Sequence, residues 1–176
     1  MAVHVSEYDA TWPQKFVEQR DQLAIRLQPW LGGPIEHVGS TAVPGLAAKP
    51  VVDIAAPVRS MTDAHDARAV LEQEGWRYWS ADPNGSWRLW FLHPRPEART
   101  HHLYLIEHDD PHLHELLAFR DRLRADDDLR KRYAELKQVL ARAHRHDRDA
   151  YTAAKADFVA TALRQTGIEM LPRTAQ

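Results

Sequence analysis

Phosphate-binding chemistry is predicted by the short string Gly39-Ser40-Thr41, which directly follows the strand predicted at 35–38. A glycine permits a tight turn, and such a turn can present backbone N–H groups and the hydroxyl groups of serine and threonine to an anion. The spacing of glycine, lysine and hydroxyl residues differs from that of the Walker P-loop. The string therefore predicts a local phosphate site of another kind.

Asp53 lies in the apolar strand predicted at 51–54, 13 positions after Ser40. An ionised carboxylate within an apolar strand is costly unless a cation or hydrogen-bond donors compensate it. A divalent ion can do so, because Mg²⁺ and Mn²⁺ favour carboxylate, water and phosphate oxygens. We therefore expect Asp53 to be a catalytic metal ligand and Lys49, just before the strand, to add positive charge for catalysis. The alternative is an ordinary turn, a surface lysine and an aspartate that caps a loop.

Four later residues are candidates for binding the phosphates of a ligand. His102 and Tyr104 share one face of an alternating strand, and Arg88 in the preceding strand can bind a phosphate through two N–H groups. Lys137 and Lys155 lie on helices beside apolar core positions. Each candidate also has an alternative role. His102 could be half-exposed on an amphipathic strand, and Arg88 could be a cation at the rim. The two lysines could extend into water, as long basic side chains beside a helix core commonly do.

Tryptophans cluster around the middle of the chain, at Trp76, Trp79, Trp87 and Trp90. Aromatic residues at strand spacing usually belong to the core. One or two of them at a sheet edge would also suit a nucleobase or the pantetheine arm of a coenzyme, so both interpretations stay open. A turn is predicted between them at Asp82-Pro83-Asn84-Gly85.

The composition predicts one domain over residues 1–176, a usual length for a single core. The net charge of −2 argues against general nucleic-acid binding and against a membrane-surface protein. The absence of cysteine excludes disulfides, zinc fingers, iron–sulfur sites and thiol nucleophiles. The sequence has no apolar run of membrane-spanning length and no secretory leader, so a cytoplasmic location is expected.

Hydrophobic periodicity predicts strands in the first two-thirds of the chain and helices in the last third. Helices are predicted at 12–27, at 60–75 and in several segments of 111–167, and the charged run 120–132 is interpreted as exposed helix faces around a capped turn. Strands are predicted at 35–38, 51–54, 76–79, 87–93 and 101–107. This order indicates a mixed sheet of four or five strands covered by helices, of the α+β or two-layer α/β class.

The string EHVGSTAVPGLAAKPVVDI at residues 36–54 resembles the signature of the GrpB family. Further similarity lies at 119–124, at 133–137 and around Tyr151, Lys155 and Phe158, so the resemblance covers nearly the whole chain. It implies a nucleotidyltransferase-like fold, in which a Gly-Ser turn holds a triphosphate and strand carboxylates hold the metal. The string also contains His37, which we include among the phosphate-binding candidates.

Two positions depart from the pattern of an active nucleotidyltransferase. That pattern places a second acid two positions after the first, on the same strand face, and here the position is Ala55. Glu36 and Glu107 are the strand-borne acids that could replace it. In the later strand similar proteins tend to read His-Leu-His, whereas this chain reads His102-Leu103-Tyr104.

Two functions therefore remain open. The first is a metal-dependent nucleotidyltransferase that binds a nucleotide or another phosphorylated small molecule. The second is a catalytically reduced module that binds a nucleotide or a coenzyme A-related ligand, and Ala55 is its main support. A structural domain without a ligand ranks third, because it would leave Asp53 and the neighbouring turn without a purpose.

Overall fold

A computed structural model describes residues 4–144 and 146–171 of the chain. Its helices are α1 Trp12–Arg26, α2 Met61–Ala64, α3 Ala67–Gln73, α4 Pro111–Ala125, α5 Asp127–Ala143, α6 Arg148–Ala154 and α7 Ala156–Arg164. Its strands are β1 Glu36–Val38, β2 Val52–Val58, β3 Arg77–Tyr78, β4 Arg88–His93 and β5 His101–Glu107. Short 3-10 helices form at Ser40–Ala42 and Pro96–Ala98.

The strands form one five-stranded sheet in the order β1-β2-β5-β4-β3. The central strands β2 and β5 are parallel, and the remaining pairs are antiparallel. Helices account for most of the described chain after residue 110. The prediction of a mixed sheet of four or five strands with a helical C-terminal third is confirmed.

One face of the sheet packs against α1, α2 and α3. Alternate residues of β2 and β5 supply this core, because successive side chains of a strand point to opposite faces. Buried members of the cluster are Trp12, Phe16, Leu27, Ile54, Leu71, Phe91, Leu103 and Leu105. The other residues of the same strands, including Asp53 and His102, must therefore face the C-terminal helices.

The C-terminal helices also hold the segment that follows β1. Val43 and Leu46 pack with Leu123 of α4 and with Leu129 and Tyr133 of α5. Asp126 begins α5 as its N-cap, where its side chain accepts a hydrogen bond from the backbone N–H of Leu129 at 2.9 Å. This cap agrees with the turn predicted in the charged run 120–132.

Several boundaries differ from the sequence-based expectation. The predicted helix at 60–75 is two helices, of which α2 begins after the N-cap Ser60 and ends before His65. Strand β2 continues to Val58, beyond the predicted end at residue 54, because its parallel pairing with β5 extends to Glu107. Among the described residues, no helix is long and apolar enough to cross a membrane.

Candidate functional site

A cavity of about 610 Å³ lies between the sheet and the C-terminal helices, within the size range of small-molecule sites. Its lining includes most of the site residues predicted from the sequence, namely Gly39, Ser40, Thr41, Lys49, Asp53, Arg88, His102, Lys137 and Lys155. These residues come from β2, β4, β5, α5 and α6–α7 and from the loop after β1. A groove of about 340 Å³ beside α5 and α7 contains none of them.

Gly39 allows the chain to pass directly over Asp53. Its φ of +71° and ψ of −170° lie in a region that is essentially restricted to glycine. A Cβ atom at this position would lie 2.6 Å from Asp53 Oδ2. The segment 39–42, which we call the 39–42 turn, therefore has its tight approach to the carboxylate because residue 39 has no side chain.

Two arginines of α4 bind the backbone at the end of the 39–42 turn and in the strand just before it. Arg124 donates to the carbonyl oxygen of Ala42 from Nε at 3.0 Å and from Nη2 at 2.8 Å. Arg120 donates from Nη1 to the carbonyl oxygen of His37 at 3.0 Å. The interpretation of the run 120–132 as exposed faces is wrong at Arg120, which is buried. Charge cancellation along the sequence gave no sign of these long-range contacts.

Asp53 and His102 are neighbours in the register of β2 and β5. Asp53 Oδ1 lies 2.9 Å from His102 Nδ1 and accepts a hydrogen bond from the Tyr104 hydroxyl at 3.0 Å. Burial lowers the pKa of His102, although Asp53 opposes this effect. The neutral ring then carries its proton on Nδ1, where the carboxylate accepts it. Burial would raise the pKa of Asp53, but the hydrogen bonds from His102 and Tyr104 outweigh burial and lower it.

The expected second carboxylate of a two-metal site does not reach Asp53. Glu36 Oε2 is bound by Arg120 Nη1 at 2.7 Å, and Glu107 accepts from the backbone N–H of Met61 at 2.7 Å. Glu107 also points to the opposite face of the sheet, because it alternates with Tyr104. In the part of the chain that is described, no three His, Asp or Glu residues form a metal-binding group. Asp53 is therefore the strand carboxylate that lies against the 39–42 turn, without a second one beside it among Glu36 and Glu107.

Glu115 of α4 is an acidic residue of the cavity that sequence reasoning missed. It is buried with 2% exposure and lines the cavity. Its Oε1 accepts a hydrogen bond from the backbone N–H of Leu171 at 2.6 Å. The helical spacing of the apolar residues around it offered no signal for a buried acid.

Lys137 and Lys155 contribute positive charge from the helices. Lys137 is buried with 2% exposure, lies 4.8 Å from the ring centre of Tyr133 and donates to the carbonyl oxygen of Ala47. Burial and the charge of Lys155 lower the pKa of Lys137 to about 7. Lys155 lies 4.2 Å from the ring centre of Tyr151. The surface alternative for Lys137 is therefore excluded by its burial.

Arg88 lines the cavity and forms a buried ion pair. It binds both carboxylate oxygens of Asp82, from Nε at 2.6 Å and from Nη2 at 3.0 Å. The two side chains are only 11% and 3% exposed. The guanidinium also lies within 5.3 Å of the ring centres of Trp87, Trp90 and Tyr104. Arg88 is thus not at the rim, and Asp82 offsets much of its charge.

His37 does not line the cavity. Alternation along β1 directs it to the α1 face, where it stacks on Phe16 with 4.8 Å between ring centres. Its Nε2 lies 3.0 Å from Thr41 Oγ1, and burial lowers its pKa to about 4. The geometry therefore places the His37 imidazole behind the 39–42 turn, beside Thr41 and away from the residues that line the cavity.

Similarity to known proteins extends over nearly the whole chain. Residues 2–165 match the family described as GrpB protein. A UPF0157 protein of Pseudomonas aeruginosa is 39% identical over 165 residues, which cover 92% of this chain and 66% of that protein. A UPF0157 protein of Streptomyces coelicolor is 35% identical over 159 residues, which cover 90% of this chain and 81% of that protein. The chain thus spans just under two-thirds of the Pseudomonas protein.

Solved structures agree with this similarity. The crystal structure of the conserved protein GrpB from Enterococcus faecalis has a TM-score of 0.81 and 31% sequence identity, covering 94% of this chain and all of that chain. The Cid1 poly(U) polymerase has a TM-score of 0.56 at 14% identity, covering 85% of this chain and 49% of that chain. The second match concerns the fold alone. The chain belongs to the GrpB protein family and has a nucleotidyltransferase-like fold.

Proposed function

We propose that the cavity binds a phosphorylated small molecule, with a nucleotide as the first choice. The observation that carries this proposal is the convergence of the 39–42 turn with Lys49, Lys137 and Lys155 on one cavity. The three lysines come from separate segments of the chain. A set of cations brought together in this way fits a ligand with more than one negative charge.

The charge balance of the cavity differs from that of the chain. Arg88 is paired with Asp82, so the lining sets Lys49, Lys137 and Lys155 against Asp53 and Glu115, and 3 − 2 leaves an excess of one positive charge when every group is ionised. The whole chain has a net charge of −2. Positive charge is therefore concentrated at the cavity, which favours an anionic ligand.

Each part of the cavity has its own role in this proposal. The 39–42 turn offers backbone N–H groups and the hydroxyls of Ser40 and Thr41 to the phosphates. Lys137 interacts strongly with them, because its ammonium lies in a desolvated environment of low effective dielectric constant. Asp53 would hold a Mg²⁺ or Mn²⁺ ion that arrives with the phosphates and neutralises part of their charge. Lys49, in the loop before β2, adds positive charge to the same cavity.

Nucleotidyl transfer is a second candidate function. It is favoured by the position of Asp53 beside a Gly-Ser turn and by the fold shared with Cid1, which was solved with Mg 3′-dATP bound. In such a reaction Asp53 would orient the metal-bound phosphates and Lys49 would stabilise developing charge. Ala55 and the engaged carboxylates of Glu36 and Glu107 argue against a two-metal site. Binding is therefore our first proposal, and transfer requires its own assay.

Replacing Lys137 with methionine is expected to weaken binding of a nucleoside triphosphate by about tenfold or more, because a desolvated charge–phosphate contact is lost. The measurement is calorimetric titration of wild type and variant with ATP, tripolyphosphate and dephospho-coenzyme A in the presence of Mg²⁺. Lys131→Met is the matched control, since Lys131 lies on the same helix with a side chain that is 72% exposed. Absence of binding to every phosphate compound, or equal losses in the two variants, would contradict the proposal.

Asp53→Asn tests the role of the metal separately. Asparagine keeps the shape and one acceptor oxygen for His102 and Tyr104 but removes the negative charge that attracts the ion. We expect Mg²⁺ to strengthen triphosphate binding by roughly tenfold in wild type and to have little effect in the variant. The measurement is the ratio of affinities with and without Mg²⁺, together with thermal unfolding to establish that the variant is folded. If Mg²⁺ changed the affinity for triphosphate by the same factor in both proteins, Asp53 would not be a metal ligand.

A further inference from the structure

The cavity contains a second polar region, away from the 39–42 turn. Along β5 the residues on the same face of the sheet are His102, Tyr104 and Ile106, of which His102 and Tyr104 line the cavity. Ile106 is paired with Arg88 of β4. His102 is paired with Asp53, so the backbone of Arg88 is displaced by four residues along the strand direction, about 13 Å at 3.3 Å per residue. The Arg88 guanidinium itself lies 4.8 Å from the ring centre of Tyr104. This end of the cavity is where the part of an elongated ligand opposite its phosphates would lie.

Asn84 is a residue at this end with a buried polar atom that has no hydrogen-bond partner among the described residues. Its side chain is only 4% exposed and lines the cavity. The carbonyl oxygen Oδ1 is buried and has no hydrogen-bond partner within the described structure. Buried polar atoms nearly always have a partner, and an exception in a cavity is a reason to consider a ligand.

The position of Asn84 is fixed by its neighbours. Its backbone N–H donates to Asp82 Oδ1 at 3.0 Å, and the same carboxylate binds Arg88 through two hydrogen bonds. A further backbone bond of 3.2 Å joins the N–H of Trp87 to the carbonyl oxygen of Asn84. The turn predicted at 82–85 is therefore held by a buried ion pair, so the orphan oxygen is not the result of a loose loop.

Aromatic side chains line the same cavity. Trp90 and Tyr104 both line the cavity, with 6.2 Å between their ring centres. The combination of aromatic faces with one buried acceptor suits a planar group that carries an N–H donor on its edge. Such a group would gain the hydrogen bond that Oδ1 lacks.

We propose that this end of the cavity is a base-recognition subsite, in which Asn84 Oδ1 accepts a hydrogen bond from the exocyclic amino group of a nucleobase. Adenine and cytosine carry that group, whereas hypoxanthine and uracil have a carbonyl oxygen in its place. The subsite would therefore select between ligands with identical phosphates. This inference rests on the proposed function, because the phosphates would fix which end of the nucleotide reaches Asn84.

The test compares two pairs of nucleotides that each differ in this group. Wild type is titrated with ATP and ITP and with CTP and UTP, alongside tripolyphosphate, which has no base. We expect the amino-bearing member of each pair to bind about tenfold more tightly, since a buried acceptor faces a donor in one case and another acceptor in the other. In Asn84→Leu, a replacement of similar size, the preference should fall to near unity while the affinity for tripolyphosphate stays the same.

The outcomes separate this inference from the proposed function. Binding of tripolyphosphate and of all four nucleotides without preference would overturn the base-recognition subsite and leave phosphate binding intact. A preference that persists in Asn84→Leu would assign selectivity to another residue. No binding of any triphosphate by wild type would overturn both proposals. The wild-type comparison needs no variant, so the subsite can be tested even if Asn84→Leu fails to fold.

Discussion

Replacing Gly39 with alanine is expected to destabilise the protein by roughly 3 kcal/mol or more and to abolish phosphate binding. Two effects add. The backbone at residue 39 has φ +71° and ψ −170°, a conformation that is essentially restricted to glycine. The new Cβ would also lie 2.6 Å from Asp53 Oδ2 and 3.2 Å from its Cγ, so the 39–42 turn or the carboxylate must move. Urea unfolding at equilibrium measures the loss of stability.

Gly45→Ala provides the matched control for this prediction. Gly45 has a similar φ of +77°, but no atom lies within 4 Å of the position that its Cβ would occupy. Its cost is therefore backbone strain alone, about 1 kcal/mol. If the two variants lost equal stability, close contact between the turn and Asp53 would not contribute, and the account of Gly39 would be wrong.

Raising the pH from 7 to 9 is expected to weaken triphosphate binding by up to about fiftyfold, because the ligand needs Lys137 in its protonated form. In the free protein burial, together with the charge of Lys155, lowers the pKa of Lys137 to about 7. A bound phosphate stabilises the ammonium and raises this pKa. Binding above pH 7 must therefore take up a proton, and the affinity falls by at most tenfold for each pH unit. Below pH 7 the lysine is already protonated and this effect levels off.

Lys137→Arg separates this effect from other titrations. A guanidinium remains charged throughout this pH range, so the variant should bind with an affinity that changes little between pH 7 and 9. Calorimetry in two buffers of different ionisation enthalpy would measure the proton uptake directly. Equal pH dependence in wild type and Lys137→Arg would show that another group controls it.

The local features of the fold could be predicted from the sequence. The alternation in β5 and the periodicity of α1 are strong, and the caps at Asp126 and Ser60 have the residue types that begin helices. The order of the strands could not be predicted, because it depends on pairing between segments far apart in the chain. Strand β2, for example, pairs with β5 across roughly fifty residues.

The residue types of the candidate site could be predicted from the sequence, but most of the contacts between them could not. The string 36–54 and the family resemblance point to the 39–42 turn, Asp53 and the lysines, and the structure brings these residues to one cavity. His37 was placed among the ligand-binding residues although β1 turns it to the other face. Arg120, Arg124 and Glu115 were missed, since their roles depend on contacts that local charge and periodicity do not encode.

Arg120 and Arg124 bind backbone carbonyl oxygens at residues 37 and 42. The shape of the 39–42 turn is therefore not determined by the sequence of the turn alone. The donors on Ala42 and His37 come from residues more than eighty positions away. Grafting residues 36–54 onto another protein would transfer the sequence motif without α4, the helix whose arginines bind it. A short motif search can therefore find relatives of this segment, but only chains that also supply the two arginines, or substitutes for them, would inherit the same pocket geometry.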